Sequence, residues 1–219
     1  MEPLKLEIRH QGAISERGIF TGYIKDKNGE DKKKAITQYQ HMDWEKHFKG
    51  ELYLGLSPVK IIQNGTGRKG FCRWVGWDLD FEQEPETFCR AVFRIATDFF
   101  CYRTSSNNWH IYKYYDEEID VEEARKVAVK YEAIFKKTFK GLKVDSSHSL
   151  PKGHDIERGR PGGWLFQPYC PHQELINKNT CGYSPSGQPL TKEQVEFAIQ
   201  WRKHPIKLSA VSMNYWSQQ

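Results

Sequence analysis

The sequence predicts an α+β fold, with strands and helices mixed along one chain and carboxylates at a strand end. Two stretches carry that prediction. Cys72-Arg-Trp-Val-Gly-Trp-Asp-Leu-Asp80 is rich in aromatic and β-branched residues, follows a Gly-rich loop and leads into an acidic stretch, which is the pattern of a buried strand. Val121, Ala124, Ala128, Tyr131, Phe135 and Phe139 form an apolar stripe at helical spacing, with Asp120 as N-cap and Gly141 as stop.

Composition narrows the class. The 219 residues suffice for a sizeable core, and 33 Lys plus Arg against 28 Asp plus Glu leave a charge of +5. That balance is compatible with a polyanionic partner without requiring one. The five cysteines are an odd set, several in apolar runs, and read as reduced core residues rather than a disulfide framework. No apolar run reaches the ~18 residues of a membrane span and no signal peptide opens the chain, so the expectation is a soluble, cytoplasmic protein with no membrane partner. In that setting Asn64-Gly-Thr66 is a turn, not a glycosylation acceptor.

Taken in order, the chain opens with polar residues 1–35. Their charge run Lys25–Lys34, with the turn signal Asn28-Gly29, reads as a solvated loop in preference to a nucleic-acid contact. Met42–Phe48 is a short helix ended by Gly50. Leu52–Ile62 is a strand-like apolar run broken at Ser57-Pro58. The glycines of Asn64–Gly70 lack phosphate-loop spacing and precede a strand, so that reading falls away. Pro85 opens a helix marked by Phe88, Ala91, Val92 and Ile95. Phe99–Tyr102 is a strand, 103–108 a polar turn, and Trp109–Tyr115 an alternating strand with His110, Tyr112 and Tyr114 on one face. After the long helix, where Glu122 can pair with Lys126, residues 146–163 are polar and Gly-rich, and Trp164–Tyr169 is strand-like. Thr191-Lys-Glu-Gln194 is a capping box for a helix to about Trp201, with Leu190 and Val195 as its staple. The closing residues have no clear pattern and are consistent with a boundary beyond which further domains lie.

The chemistry centres on Asp78-Leu-Asp80. Residues i and i+2 of a strand share a face, with Cα atoms roughly 6–7 Å apart. Asp78 and Asp80 therefore project together, with Leu79 in the core behind them. Two such carboxylates repel unless a cation lies between them, and hard oxygen donors suit Mg²⁺ or Mn²⁺. Polar sites also fall at Ser105–His110 and at Asp155, ahead of Gly162-Gly163-Trp164. On spacing alone, this order points to metal-dependent chemistry on a phosphorylated substrate.

The three sites resemble the motifs of the archaeo-eukaryotic primase superfamily, especially the primase-polymerases of phages and plasmids. They read Trp-Val-Gly-Trp-Asp78-Leu-Asp80, Ser105-Ser-Asn-Asn108-Trp-His110, and His154-Asp155-Ile-Glu-Arg-Gly-Arg-Pro-Gly-Gly-Trp164. Flanking text such as Leu54-Gly-Leu-Ser-Pro58 and Gly163-Trp-Leu-Phe-Gln-Pro-Tyr169 is similar to phage members as well. The likeness spans roughly residues 40–203. It implies a single catalytic domain over 1–219, within a larger replication protein. Its subparts would be an N-terminal α/β part to about residue 70 and a catalytic part over 71–205, built on an antiparallel sheet of the RNA-recognition-motif type flanked by helices 86–97 and 120–140.

The resemblance implies DNA primase or DNA polymerase activity: template-directed transfer of a nucleotide from a (d)NTP in replication. The partners would be single-stranded DNA template, nucleoside triphosphates and a helicase domain or partner protein. In a two-metal site, Asp78 would bridge the ions, Asp80 would hold the nucleotide-side ion and Asp155 would complete the other. His110 would donate to the triphosphate, with Arg103, Ser105, Ser106 and Asn108 as neighbours and Arg158 and Arg160 as candidate phosphate contacts. Asn108 stands where the family has a small Ser or Thr, so the donor role is open among Asn108, Ser105 and Ser106. A zinc site from Cys170, His172, Cys181 and His148 or His154 is disfavoured, because the spacing contains no compact ligand pair. Two other classes compete: an Asp-x-Asp nucleotide-sugar transferase, which leaves the His110 and Asp155 motifs unexplained, and a non-catalytic nucleic-acid-binding initiator module, which has no need of three carboxylates.

Overall fold

The computed structural model describes residues 22–26, 41–104, 106–142, 149–152, 154, 156–159, 162–171 and 180–202. The first elements are β1 (Gly22–Asp26), α1 (His41–Phe48), β2 (Leu52–Leu56) and β3 (Val59–Asn64). Then follow β4 (Gly67–Leu79), α2 (Pro85–Ile95), β5 (Phe99–Arg103), β6 (Trp109–Asp120), α3 (Val121–Thr138) and β7 (Ser149–Leu150). The short strands β8 (Leu165–Phe166), β9 (Gly182–Tyr183) and β10 (Pro189–Leu190) precede α4 (Lys192–Arg202). The fold is α+β, an antiparallel sheet flanked by helices.

From β4 to β7 the order is βαββαβ, and the strands lie side by side as β7–β4–β6–β5, each pair antiparallel. This is the split βαβ arrangement of the RNA-recognition-motif type. β3 shares an edge of β4 with β7, and β9 and β10 extend the sheet beyond β5. A second sheet has the order β1–β2–β8. The sheets do not divide near residue 70: β3 belongs to the large sheet, and the small one takes β8 from the far end of the chain.

Strand alternation splits the large sheet into two faces. Val75, Trp77 and Leu79 of β4 join Trp109 and Ile111 of β6 under α2 and α3, in a core that includes Phe88, Val92, Ala124 and Phe135. Trp74 and the tyrosines 102, 112 and 114 point the other way, beneath Leu165 and the α4 residues Val195, Ala198 and Ile199. Cys72 lies on the helix side although it shares parity with Trp74. The pairing slips by an odd number of residues between Cys72 and Trp74 while β6 keeps its alternation from Ile119 through Tyr115 to Trp109, so it is β4 that changes face there.

Local details follow the sequence with some differences. Asp120 caps α3 through Glu122 N–H at 2.8 Å, while Lys126 pairs with Glu123 at 2.6 Å and not with Glu122. Thr191 and Gln194 close the capping box in both directions, at 2.8 and 3.2 Å. The expected loop over 64–70 is a two-residue hairpin, Asn64 opposite Gly67, with Gly65 at φ 61°. Gly22–Asp26, which includes the start of the charge run, is a strand paired with β2, and the run's Asn28-Gly29 lies outside the described residues. Cys170 is buried and its thiol is pushed up by burial, as is that of Cys181. His148 and His172 of the zinc reading lie outside the described residues. No helix among the described residues is long and apolar enough to cross a membrane.

The small sheet is tied down by His47, which is fully buried. Its Nδ1 accepts from Leu54 N–H at 3.2 Å and its Nε2 donates to the Pro168 carbonyl at 2.9 Å, so the network requires the Nε2-protonated tautomer. His47→Ala leaves a buried donor and a buried acceptor unmet, and is expected to cost roughly 1–3 kcal/mol in thermal or urea unfolding. A wild-type melting temperature would contradict that role.

Candidate active site

The candidate site forms where β4 and β6 run out at the end of the sheet. Asp78 is paired with His110 across the two strands, and His110 with Tyr102 across β6 and β5. All three side chains lie on the face away from α2 and α3. Leu79 and Trp109, their partners in alternation, are wholly buried on the helix side, where Trp109 stacks on Phe88 at 4.3 Å. Burial of those apolar groups is what holds the polar row outward.

Two polar pairs result. His110 Nε2 lies 3.3 Å from Asp78 Oδ1, and Asn108 Nδ2 donates to Asp80 Oδ1 at 2.9 Å. The Asp78 side chain is 33% exposed and that of His110 only 11%, so the first pair straddles the core boundary while Asp80 stands in solvent. Beneath them Tyr112 lies with its ring centre 6.2 Å from that of His110. Burial chiefly, then Tyr102 and Asp78, push its phenol well above its usual value. It remains a neutral hydroxyl and donates to the Phe166 carbonyl at 3.3 Å.

The turn between β5 and β6 shapes the outer pair. Asn108 N–H donates to Thr104 Oγ1 at 3.0 Å, and Thr104 N–H to the Asn108 carbonyl at 2.9 Å. Ser106 Oγ lies 3.1 Å from Thr104 Oγ1 and 3.5 Å from Asn108 Nδ2, so Ser106 joins the cluster around Asp80. Thr104 was not among the predicted residues. Its signal is a hydroxyl at the head of a polar turn, where it competes for backbone N–H groups.

The other predicted residues are placed differently. Arg103 is buried on the helix side of the sheet, because its neighbour Tyr102 shares the face of His110. It does not face the carboxylates, and so lies across the sheet from His110 rather than beside it as the resemblance implies. Arg158 stands exposed in the turn 156–159, which Arg68 Nη1 holds through the Glu157 carbonyl at 2.7 Å. Ile156 lies over Gly70 beside Val121, and His154 Nε2 is 3.4 Å from Glu122 Oε1, at ion-pair distance without hydrogen-bond alignment. Gly70 is eight residues from Asp78 along β4, ~25 Å of extended chain, so this turn sits at the foot of the strand and Arg158 is not brought to the site. Asp155, Ser105 and Arg160 lie outside the described residues.

The donor set fits a hard divalent cation. Two carboxylates on one face, one of them solvated, can hold Mg²⁺ or Mn²⁺, which commonly keeps several waters and completes its shell with substrate phosphates. Among the described residues there is no group of three or more His, Cys, Asp and Glu side chains placed to hold a metal by themselves.

No protein-family model matches the chain, and no curated protein matches its sequence. Among solved structures it is similar to the polymerase domain from Mycobacterium tuberculosis Ligase D in complex with DNA, with 16% identity and a TM-score of 0.39. The match covers 68% of this chain and 60% of that one, and at this distance no residue role passes from one to the other.

Asn108→Asp places a third carboxylate against Asp80. Without metal, the added repulsion is expected to lower stability by about 1 kcal/mol. Mn²⁺ should restore it, giving a larger melting-temperature rise than in the wild type. An equal rise in both proteins would count against cation binding at the pair.

Proposed function

We propose that the chain is a nucleotidyltransferase of the primase-polymerase type, which adds nucleotides from (d)NTPs to a strand on a single-stranded DNA template. The observation that carries this reading is the facing of Asp78 with His110, and of Asp80 with Asn108, at the open end of one sheet. A carboxylate pair alone repels a triphosphate. Carboxylates facing two side-chain N–H donors suit a cation and a polyphosphate together.

In this reading Asp78 and Asp80 hold Mg²⁺ or Mn²⁺, which when bound neutralises phosphate charge and stabilises the oxygens entering and leaving the α-phosphate. His110 Nε2–H and Asn108 Nδ2–H turn from the carboxylates to non-bridging oxygens of the triphosphate. A 3′-hydroxyl, giving up its proton to water, attacks the α-phosphorus in line; the new P–O bond forms as the bond from that phosphorus to the oxygen bridging the α- and β-phosphates breaks, and pyrophosphate leaves. The polarised donors favour the more charged transition state over the bound substrate. Tyr112, neutral and buried, supports the imidazole from below.

The test is incubation of the protein with single-stranded template, NTPs or dNTPs, and Mg²⁺ or Mn²⁺, with and without primer. Labelled products are expected, and the primer-free arm separates priming from extension. Asp78→Asn or Asp80→Asn should reduce incorporation by on the order of a hundred- to a thousandfold, the scale of losing one transition-state electrostatic contact. Hydrolysis of a sugar nucleotide without incorporation would overturn the reading in favour of the transferase class.

His110→Ala should raise the nucleotide KM about ten- to a hundredfold, matching one hydrogen bond to a charged group at roughly 1.5–3 kcal/mol. Unchanged KM and kcat would remove its role. Asp155→Asn, which removes the third metal ligand of this reading, is expected to lower incorporation as deeply as Asp78→Asn. Incorporation within a fewfold of wild type would remove Asp155 from that role.

A further inference from the structure

We infer that Arg103 is a positioning residue, which sets Asp80 and Asn108 face to face from the opposite side of the sheet; the inference rests on the proposed nucleotide site. The two residues lie on separate segments, the stretch that follows β4 and the turn between β5 and β6. Arg103 fastens one to the other. Its Nη1 donates to the Gln83 carbonyl at 2.7 Å and its Nε to Asn107 Oδ1 at 2.8 Å. The guanidinium carbon lies 4.7 Å from the centre of the Trp109 ring, whose Nε1 donates to the same Gln83 carbonyl at 3.3 Å. Asn107 completes the link by donating to Glu82 Oε1 at 2.8 Å.

The geometry of these contacts requires an arginine. The group that bridges two oxygen acceptors on different segments, while its guanidinium carbon sits over an indole, must carry several fixed donors in one plane. Asn107 sits at φ 70°, a backbone region that side chains other than glycine seldom occupy, and its bonds to Arg103 and Glu82 hold it there. Asn107 immediately precedes Asn108, and Gln83 lies three residues past Asp80. A shift of either segment therefore moves one partner of the 2.9 Å Asp80–Asn108 bond. Arg103 itself touches neither, being buried on the far face.

A double-mutant cycle on the nucleotide KM, read by templated incorporation on the full chain, tests this. Arg103→Lys keeps the charge but not the planar fork, and should raise the KM about tenfold with a smaller change in kcat. With Asn108→Ala already present, it should add little, because both act through one contact. Additive effects would overturn the inference. Amide hydrogen exchange provides a readout independent of activity: Arg103→Lys should speed exchange at residues 80–84 and 106–108 and leave the rest of the sheet at wild-type rates. Unchanged exchange there, or loosening spread over the whole sheet, would make Arg103 an ordinary core residue. If the wild type incorporates no nucleotide, the proposed function fails while the exchange pattern still decides the latch.

Discussion

The register of β4 against β6 is the constraint on which the rest of the structure depends. Asp78 opposite His110 follows from pairing that begins at Trp74 opposite Tyr114, after the irregularity that follows Cys72. A one-residue slip would send Asp78 and Asp80 into the core with Phe88 and Phe135 and push Trp77 and Leu79 toward the site. Trp77, Leu79, Trp109 and Ile111 are wholly buried, and each such side chain contributes roughly 1.5–3 kcal/mol on burial. That apolar layer fixes the register and so aligns the carboxylates, although none of its members touches them.

The two faces of the sheet divide the work. The helix side is a dry core whose aromatic rings, among them Trp109 on Phe88, leave little freedom to the strand ends. The other side grades from the buried tyrosines beneath α4 to the half-exposed Asp78 and the solvated Asp80. The polar groups that exchange partners with a substrate in the proposed function sit at the wet end of that gradient. The neutral phenols sit at the dry end, where ionisation is strongly disfavoured. Arg103 joins the two sides, because it anchors in the helix-side core while its partners lead to the outer pair.

Much of this was legible in the residues. Alternation along Trp77-Asp78-Leu79-Asp80 separates core from site, and the same rule places Trp109 inward and His110 with Tyr112. Capping chemistry located the starts of α3 and α4. What alternation within one strand does not contain is the register between strands, so the sequence leaves open that Arg103, named there among the neighbours of His110, lies on the opposite face. The position of the turn 156–159 depends on the contact of Ile156 with Gly70 and on the bond from Arg68, both of which join residues far apart in the chain. Neither contact leaves a local pattern. Thr104 was missed for a similar reason, since a threonine in a polar turn has meaning only once Asn108 folds back onto it.

The most direct test of the central claim, that the register of β4 and β6 builds a cation site from Asp78 and Asp80, is titration of the protein with Mn²⁺ followed by electron paramagnetic resonance. The free-ion signal should fall as the wild-type protein binds the ion, and fall further when a nucleoside triphosphate is added. Asp78→Asn should abolish both changes while leaving the fold intact. Undiminished binding in Asp78→Asn, or no binding by the wild type with or without triphosphate, would contradict the account.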